Sequence, residues 1–330
     1  MAKKKEAYLY ISAMLRARET RMLSRDKAER MLDAASFEDA AKILADCGYE
    51  DMSSMNAKQV ENALSAHRDK VFGELASCVP DKAIVDIFRV KYDYHNAKVL
   101  IKAEAVGGDE SGLMSGSGRV SPQQLKSAYN EDKLKDLPGR LGRALGEAKA
   151  TLSRTANPQL ADFVLDREYF GELSDLAKRL ESRYLEKYAA VLIDSSNLRS
   201  AVRTLRMGKG SEFMALSLVE GGEVSCARIL SETNGEGLAS AFALSSLSKA
   251  AQLGAAAING GAMTEFELAC DNAVMAYVAD AKLRAYGEEP VIAYMAAVES
   301  EITAARMILT GRLAGIAPDV IRERLRDLYA

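Results

Sequence analysis

The sequence predicts an all-α chain, and three observations carry that expectation. Proline, the strongest helix breaker, occurs only six times in 330 residues, while alanine, the strongest helix former, is abundant. Apolar side chains recur at three- and four-residue spacing through most of the chain. Short alternating pieces such as Phe213 to Val219 fit helix or loop at least as well as strand. At 35.7 kDa the chain also exceeds what one core usually organises, so two or three units of similar size are expected.

The elements follow in order. Residues 6–23 repeat apolar side chains at helical spacing, and Ser24 to Ser36 reads as a second short helix. Ser36-Phe-Glu-Asp39 is an N-terminal cap, because the serine oxygen can accept from the exposed amides of a first turn. A further helix is expected over Ala57 to Cys78, stopping before Pro80. The next, Asp81 to Val106, ends at Gly107-Gly108, a left-handed C-cap signal. Glycine- and serine-rich Gly107 to Val120 is a loop. Ser121-Pro-Gln-Gln124 opens another helix with a capping box and proline at the first helical position. Further helices are expected at 159–182, 183–207, 238–256, 264–286, 289–313 and 318–329.

A repeated helix is the strongest internal signal. Val90-Lys-Tyr-Asp93-Tyr-His-Asn96-Ala-Lys98, Val191-Leu-Ile-Asp194-Ser-Ser-Asn197-Leu-Arg199 and Val298-Glu-Ser-Glu301-Ile-Thr-Ala304-Ala-Arg306 share one pattern. Each has valine three before the acid, a cation five after it, and a glycine nine beyond the cation, at Gly107, Gly208 and Gly315. Apolar residues recur eight after the acid at Ile101, Val202 and Leu309. Gly118-Arg-Val-Ser121 and Gly222-Glu-Val-Ser225 repeat a loop and helix start. Three related helical units are therefore expected, at 1–130, 131–235 and 236–330, the third weakest because Ala304 replaces Asn. Positions three before, one after, four after and eight after the acid form one stripe that should be buried against a neighbouring helix. The acid and the Asn lie beside it, where they can hydrogen-bond across a helix interface without full desolvation. Asp93, Asn96, Lys98, Asp194, Asn197, Arg199, Glu301 and Arg306 are thus candidate polar clips, with a partner-facing role as the alternative.

Several function classes lose their footing. Lys plus Arg number 44 against 47 Asp plus Glu, a net charge of -3, so no global basic excess exists to follow a phosphate backbone, and nucleic acid is not an expected partner. Cys47, Cys78, Cys226 and Cys270 are dispersed, and His67 and His95 are the two imidazoles, a poor basis for a zinc or iron–sulfur site. Gly208-Lys-Gly210-Ser211 has the wrong spacing for a phosphate loop, and Gly116-Ser-Gly118 lacks a histidine partner. A magnesium-dependent helical enzyme needs a second carboxylate one turn on, where Asn or Ala stands. No catalytic, cofactor-binding or metal residue is expected. Arg322-x-Arg324-x-Arg326 reads as a solvated helix face. Ala250 to Thr264, the longest uncharged run, contains Gln252, Asn259 and three glycines and falls short of the ~20 apolar residues of a spanning helix. Met1-Ala-Lys-Lys-Lys-Glu is followed by Arg16, Arg18 and Glu19, not by a secretory apolar core. A cytoplasmic chain is expected, meeting membranes only through a partner.

Further residues carry a family resemblance. Tyr10-x-Ser-Ala-Met-Leu-Arg16-Ala-Arg18-Glu19 is followed by Glu29-Arg-Met-Leu32, Ser36-x-Glu-Asp-Ala40 and Leu44-x-Asp46-x-x-Tyr49. Then come Asp93-x-x-Asn96-x-Lys98 and Asp194-x-x-Asn197-x-Arg199. Glu301-x-x-x-x-Arg306-Met-Ile-Leu-x-Gly311, Gly315 and Ile321-Arg-Glu-Arg-Leu-Arg326-x-Leu-Tyr329 complete the series. In this order, over nearly the whole length, the chain resembles the C subunit of the bacterial and archaeal V-type (A-type) rotary ATPases, a family related to the eukaryotic d subunit. It departs from the pattern at Ala304 and at Cys47-Gly48. The resemblance implies a funnel-shaped socket of three pseudo-threefold-related helical units on the cytoplasmic face of the membrane. It implies a peripheral, non-catalytic component seated on the rotor-ring proteolipids, holding the D and F subunits of the central stalk, and transmitting torque in ATP-coupled proton or sodium transport. A generic cytosolic helical adaptor is the competing expectation.

Overall fold

A computed structural model describes residues 5–108 and 112–330, and among them there is no strand. The helices run α1 Leu9–Glu19, α2 Arg25–Asp33, α3 Phe37–Ala45, α4 Ala57–Cys78, α5 Ala83–Val106, α6 Pro122–Asn130, α7 Gly139–Thr155 and α8 Pro158–Arg179. They continue as α9 Arg183–Arg206, α10 Ser211–Ser217, α11 Cys226–Leu230, α12 Gly235–Ala241, α13 Ser248–Ile258, α14 Met263–Ala279, α15 Glu288–Leu313 and α16 Pro318–Arg322.

Local chemistry sets most of these boundaries. Ser24, Ser36, Ser121 and Ser225 accept from the amides of Lys27, Asp39, Gln124 and Arg228, so four first turns are capped in one way. Asn56 and Gln59 form a reciprocal capping box on α4. At α6 only the serine half of the expected box forms, with Pro122 in the first turn. The three motif helices, α5, α9 and α15, end at Gly107, Gly208 and Gly315, all at positive φ near 63–70°. A bond from the next residue's amide closes each end, as in Gly108 N to Ala103 O, Lys209 N to Thr204 O and Ile316 N to Gly311 O.

Four expectations need correction. Residues 238–256 are not one helix, because the chain breaks between α12 and α13 to bury both Phe242 and Leu247. The helix expected over 264–286 ends earlier, passing into a 3-10 turn at Asp280–Leu283. The last helix stops at Arg322, and Arg326 and Tyr329 then reach Asp271 and Glu19. The Gly139–Thr155 helix has no counterpart among the expected elements. Its glycines suggest loop, yet Gly142 is required by packing, since a Cβ there would stand 2.2 Å from the Leu134 carbonyl oxygen. Phe213 to Val219, which fits helix and loop alike, holds most of α10.

The chain divides into two compact units, one of residues up to 85 with 267–330, the other of residues 86–266. In the first, α15 is the core helix, buried over most of its length and packed by α1, α2, α3 and α4. In the second, α9 is packed by α8, α10 and α13, with α7 paired to α8. α15 is buried on most faces and so carries little amphipathic signal, whereas α9 keeps charged residues such as Glu186, Lys187 and Arg203 on its uncovered side.

Candidate functional site

The three repeated acids are buried, each beside a stripe that faces the core. Val90, Tyr94, Ala97 and Ile101 on α5, Val191, Ser195, Leu198 and Val202 on α9, and Val298, Ile302, Ala305 and Leu309 on α15 are all buried. Asp93, Asp194 and Glu301 are only 0%, 1% and 4% exposed, so they are desolvated outright and do not sit at the half-wet edge that the spacing suggested. Their partners also differ from the expectation. The two aspartates and asparagines bind loop backbone, not a neighbouring helix.

The first copy is built from α5 and the loop before α6. Asp93 Oδ1 accepts from the backbone N–H of Arg119 (2.8 Å) and Val120 (3.1 Å), and Oδ2 accepts from Arg119 Nε (2.7 Å). Arg119 Nη1 then donates to Glu172 on α8 (2.8 Å), whose other oxygen accepts from the Tyr94 hydroxyl (2.9 Å). Asn96 uses both ends of its amide on one residue, donating to Ser115 O (2.8 Å) and accepting from Ser115 N (2.7 Å). Burial pushes the Asp93 carboxyl up, against the opposing pull of Arg119 and the two amides.

The second copy repeats this without the arginine. Asp194 accepts from the N–H of Glu223 (3.0 Å) and Val224 (3.2 Å), and Asn197 pairs with both N (2.9 Å) and O (2.8 Å) of Val219. Glu223 stands where Arg119 stands in the first copy, and its carboxylate reaches Lys187 at 3.5 Å. With no cation on it, Asp194 is pushed up to about 6 by burial, although two amides pull the other way.

The recurring glycine now has a reason. A Cβ at Gly118 would lie 2.3 Å from Asp93 Oδ1, and one at Gly222 would lie 2.1 Å from Asp194 Oδ1. The chain must pass so close to the carboxylate that only hydrogen fits.

The third copy closes on the chain's own beginning. Glu301 Oε2 accepts from Leu23 N (2.6 Å), the residue before the Ser24 cap, as Val120 and Val224 precede Ser121 and Ser225. Glu301 Oε1 accepts from the Tyr49 hydroxyl (2.6 Å), whose ring stacks on His67 with centroids 3.9 Å apart. Glutamate is one methylene longer than aspartate. The position matching Gly118 and Gly222 is here Arg21. Ala304 leaves this copy without an asparagine pair.

The cations five after the acids all meet polar side chains. Lys98 pairs with Asp166 on α8 (2.5 Å), and Arg306 with Glu61 on α4 (2.8 Å), so both link separate helices. Arg199 donates to Ser195 Oγ on its own helix (2.5 Å). His95 Nε2 lies 3.1 Å from Leu113 O in a structural contact. Arg322 pairs with Glu29 (2.7 Å) and Asp33 (2.8 Å), and Arg326 with Asp271 (2.8 Å), so these two are tied down, while Arg324 between them is exposed. Glu172 and Leu23 carry no sequence pattern that marks them, Arg119 stands inside the repeated Gly-x-Val-Ser, and Tyr49 is marked by the family resemblance and not by the repeat. The repeated Gly-x-Val-Ser points to the loop but not to its carboxylate.

Chemically, these carboxylates hold peptide N–H groups. Such groups, unsatisfied inside a core, would cost about 1–3 kcal/mol each. Among the described residues no cluster of three or more His, Cys, Asp or Glu could hold a metal, and no helix is long and apolar enough to cross a membrane.

The family described as ATP synthase (C/AC39) subunit matches residues 11–324, a span that takes in all three carboxylates and their turns. The chain belongs to that family. It is 26% identical over 325 residues to the C subunit of the V-type sodium ATPase of Enterococcus hirae, covering 98% of this chain and 99% of that one. It is 23% identical to the C subunit of the A-type ATP synthase of Methanocaldococcus jannaschii, covering 97% and 86%. To the C subunit of the V-type ATP synthase of Thermus thermophilus it is 25% identical, covering 59% and 62%.

Proposed function

We propose that this chain is the non-catalytic central-stalk component of a rotary V/A-type ATPase. It links the D and F subunits of the stalk to the proteolipids of the membrane rotor ring and transmits torque in ATP-coupled proton or sodium transport. The observation that carries this reading is the family match over residues 11–324, together with end-to-end likeness to a C subunit. The chain works peripherally at the cytoplasmic face, held to the membrane through the ring and needing no cofactor.

The proposed architecture is a funnel-shaped socket of three pseudo-threefold-related units, 1–130, 131–235 and 236–330. The threefold recurrence of a helix-borne carboxylate gripping the amide before a serine cap supports related units. In this reading the eight repeat residues from Asp93 to Arg306 keep each long helix and its turn in fixed register. A body that passes torque must not yield internally, and buried hydrogen-bonded clips with close packing suit that demand.

The test is a pull-down of tagged chain from detergent-solubilised membranes of its own source, with mass spectrometry of the co-purified proteins. Ring proteolipid, stalk and head subunits should be recovered together. Removing the chain should then uncouple ATP hydrolysis from ion movement. Clean recovery of an intact ATPase lacking this chain would overturn the proposal and return it to a cytosolic helical adaptor.

A further inference from the structure

A cavity of about 290 Å³ opens in the first unit where α1, α4 and α15 meet. Its volume lies just below the roughly 300–1,000 Å³ typical of ligand pockets, enough for a group the size of a phosphate. We infer that this cavity is a binding site for a phosphomonoester group, held by Arg18, Arg21 and Lys70.

The charge arrangement carries the inference. Arg18 is held by Glu74 on α4 (2.8 Å), so its guanidinium is already placed in the wall. Arg21 and Lys70 also line the cavity, are exposed, and make no ion pair among the described residues. Of the acids in the wall, Glu74 is taken by Arg18. Glu301 has both oxygens committed to Leu23 N and Tyr49, with the charge of Lys27 nearby to offset it. Burial pushes His67 down to about 4, so at neutral pH its ring adds no charge. Two positive charges are therefore left over at the cavity, beside a preorganised guanidinium.

A phosphomonoester is the best match to that surplus. It brings close to two negative charges at neutral pH and three acceptor oxygens, which suits a guanidinium pair with an ammonium alongside. Arg21 occupies the position held by glycine in the other two copies, and unlike Arg119 of the first copy, which is spent on Asp93 and Glu172, it has no carboxylate on it among the described residues. A soluble monoester and a lipid headgroup present the same group, and the test below separates them.

Thermal melting of the full chain in inorganic phosphate, against sodium chloride of equal ionic strength, tests the site. A rise of about 2–4 °C is expected near twenty times the dissociation constant. Arg21→Gln with Lys70→Gln should abolish the rise while leaving the melting point in chloride unchanged, since both side chains are exposed. Lys70→Arg should keep it. Glycerol 3-phosphate and vesicles of phosphatidate in phosphatidylcholine separate the sources, with phosphatidylglycerol vesicles of equal charge as the diester control. A response to glycerol 3-phosphate assigns a soluble ligand, and selective binding to phosphatidate assigns a lipid. No phosphate effect and no preference for phosphatidate overturns the inference. So does a phosphate effect that survives in the double variant.

Discussion

Asp194 and Gly222 are 28 residues apart, and the carboxylate of the first fills the space where a side chain on the second would begin. A Cβ at Gly222 would stand 2.1 Å from Oδ1 and 3.0 Å from Cγ. Gly222→Ala should therefore destabilise the chain by about 1–3 kcal/mol, the range for overpacking a filled site. In an Asp194→Ala background the same change should cost much less, because the colliding group is gone. Equal costs in the two backgrounds, measured by chemical denaturation, would show that the carboxylate is not what the glycine accommodates.

Removing the second clip altogether is a broader test. Asp194→Ala with Asn197→Ala strips acceptors from the amides of Glu223, Val224 and Val219 and the donor from Val219 O. At about 1–3 kcal/mol for each buried group left unsatisfied, melting should drop by several degrees. Hydrogen exchange at Val219 and Val224 should quicken more than at sites elsewhere in α9. Unchanged melting and exchange would mean that the motif does not hold the turn.

The two aspartates should not be equivalent. Asp93→Ala strands Arg119, which is mostly buried and then shares only Glu172, so a cost of about 3–5 kcal/mol is expected from a broken ion pair. Asp194 has no cation to strand. Denaturation of both single variants should find Asp93→Ala the more damaging, and the reverse order would remove Arg119 from the account.

Asp194 should also give stability a slope with pH. Burial lifts its folded value to about 6 from an ordinary 3.8. Between those values the folded chain holds a proton that the unfolded chain has released. This contribution is therefore full at low pH and is lost as pH rises through about 6. Asp194→Asn cannot titrate. The melting temperature of the natural chain minus that of the variant should be larger at pH 4.5 than at pH 7.5. A difference that stays constant over that range contradicts the assignment.

Tyr49→Phe removes one of the two donors on Glu301 while leaving a ring to stack on His67. A buried carboxylate losing a hydrogen bond should cost about 1–3 kcal/mol. Carbon NMR of the Glu301 carboxyl should show it titrating still higher than in the natural chain. An unmoved titration would mean that the hydroxyl does not support the charge.

The legible parts of this fold are those fixed by local rules. Asn56 and Gln59 start α4, and it ends where Pro80 demands, so its expected limits coincide with those observed. The buried stripes of α5, α9 and α15 are readable because helical spacing alone assigns Val90, Val191 and Val298 to the core. The missed parts depend on distance. Gly142 looks like a loop residue until the Leu134 carbonyl is placed against it. Phe242 and Leu247 break a helix that propensity would continue, because burying both requires a turn. The partner of Glu301 has no local sign, since Arg21-Met-Leu23 lacks the glycine that marks the other two turns. Of the candidate residues, Asp93, Asn96, Asp194 and Asn197 fall into matching pairs with loop backbone. Lys98 and Arg306 each reach a carboxylate on another helix.

The bond from Leu23 to Glu301 joins positions 278 apart, so the Leu23 turn waits for a segment made much later before it is complete. The Asp93 and Asp194 turns ask only for chain made within the next 30 residues. Closure over a long separation carries the larger entropic cost and comes late. On the ribosome residues 86–266 can therefore settle while the Leu23 turn is still unfinished, and emergence of the Glu301 segment is the event that completes that turn. Pulse proteolysis of stalled chains should find residues 86–266 protected before residues 5–50, and early protection of the head would reverse that order.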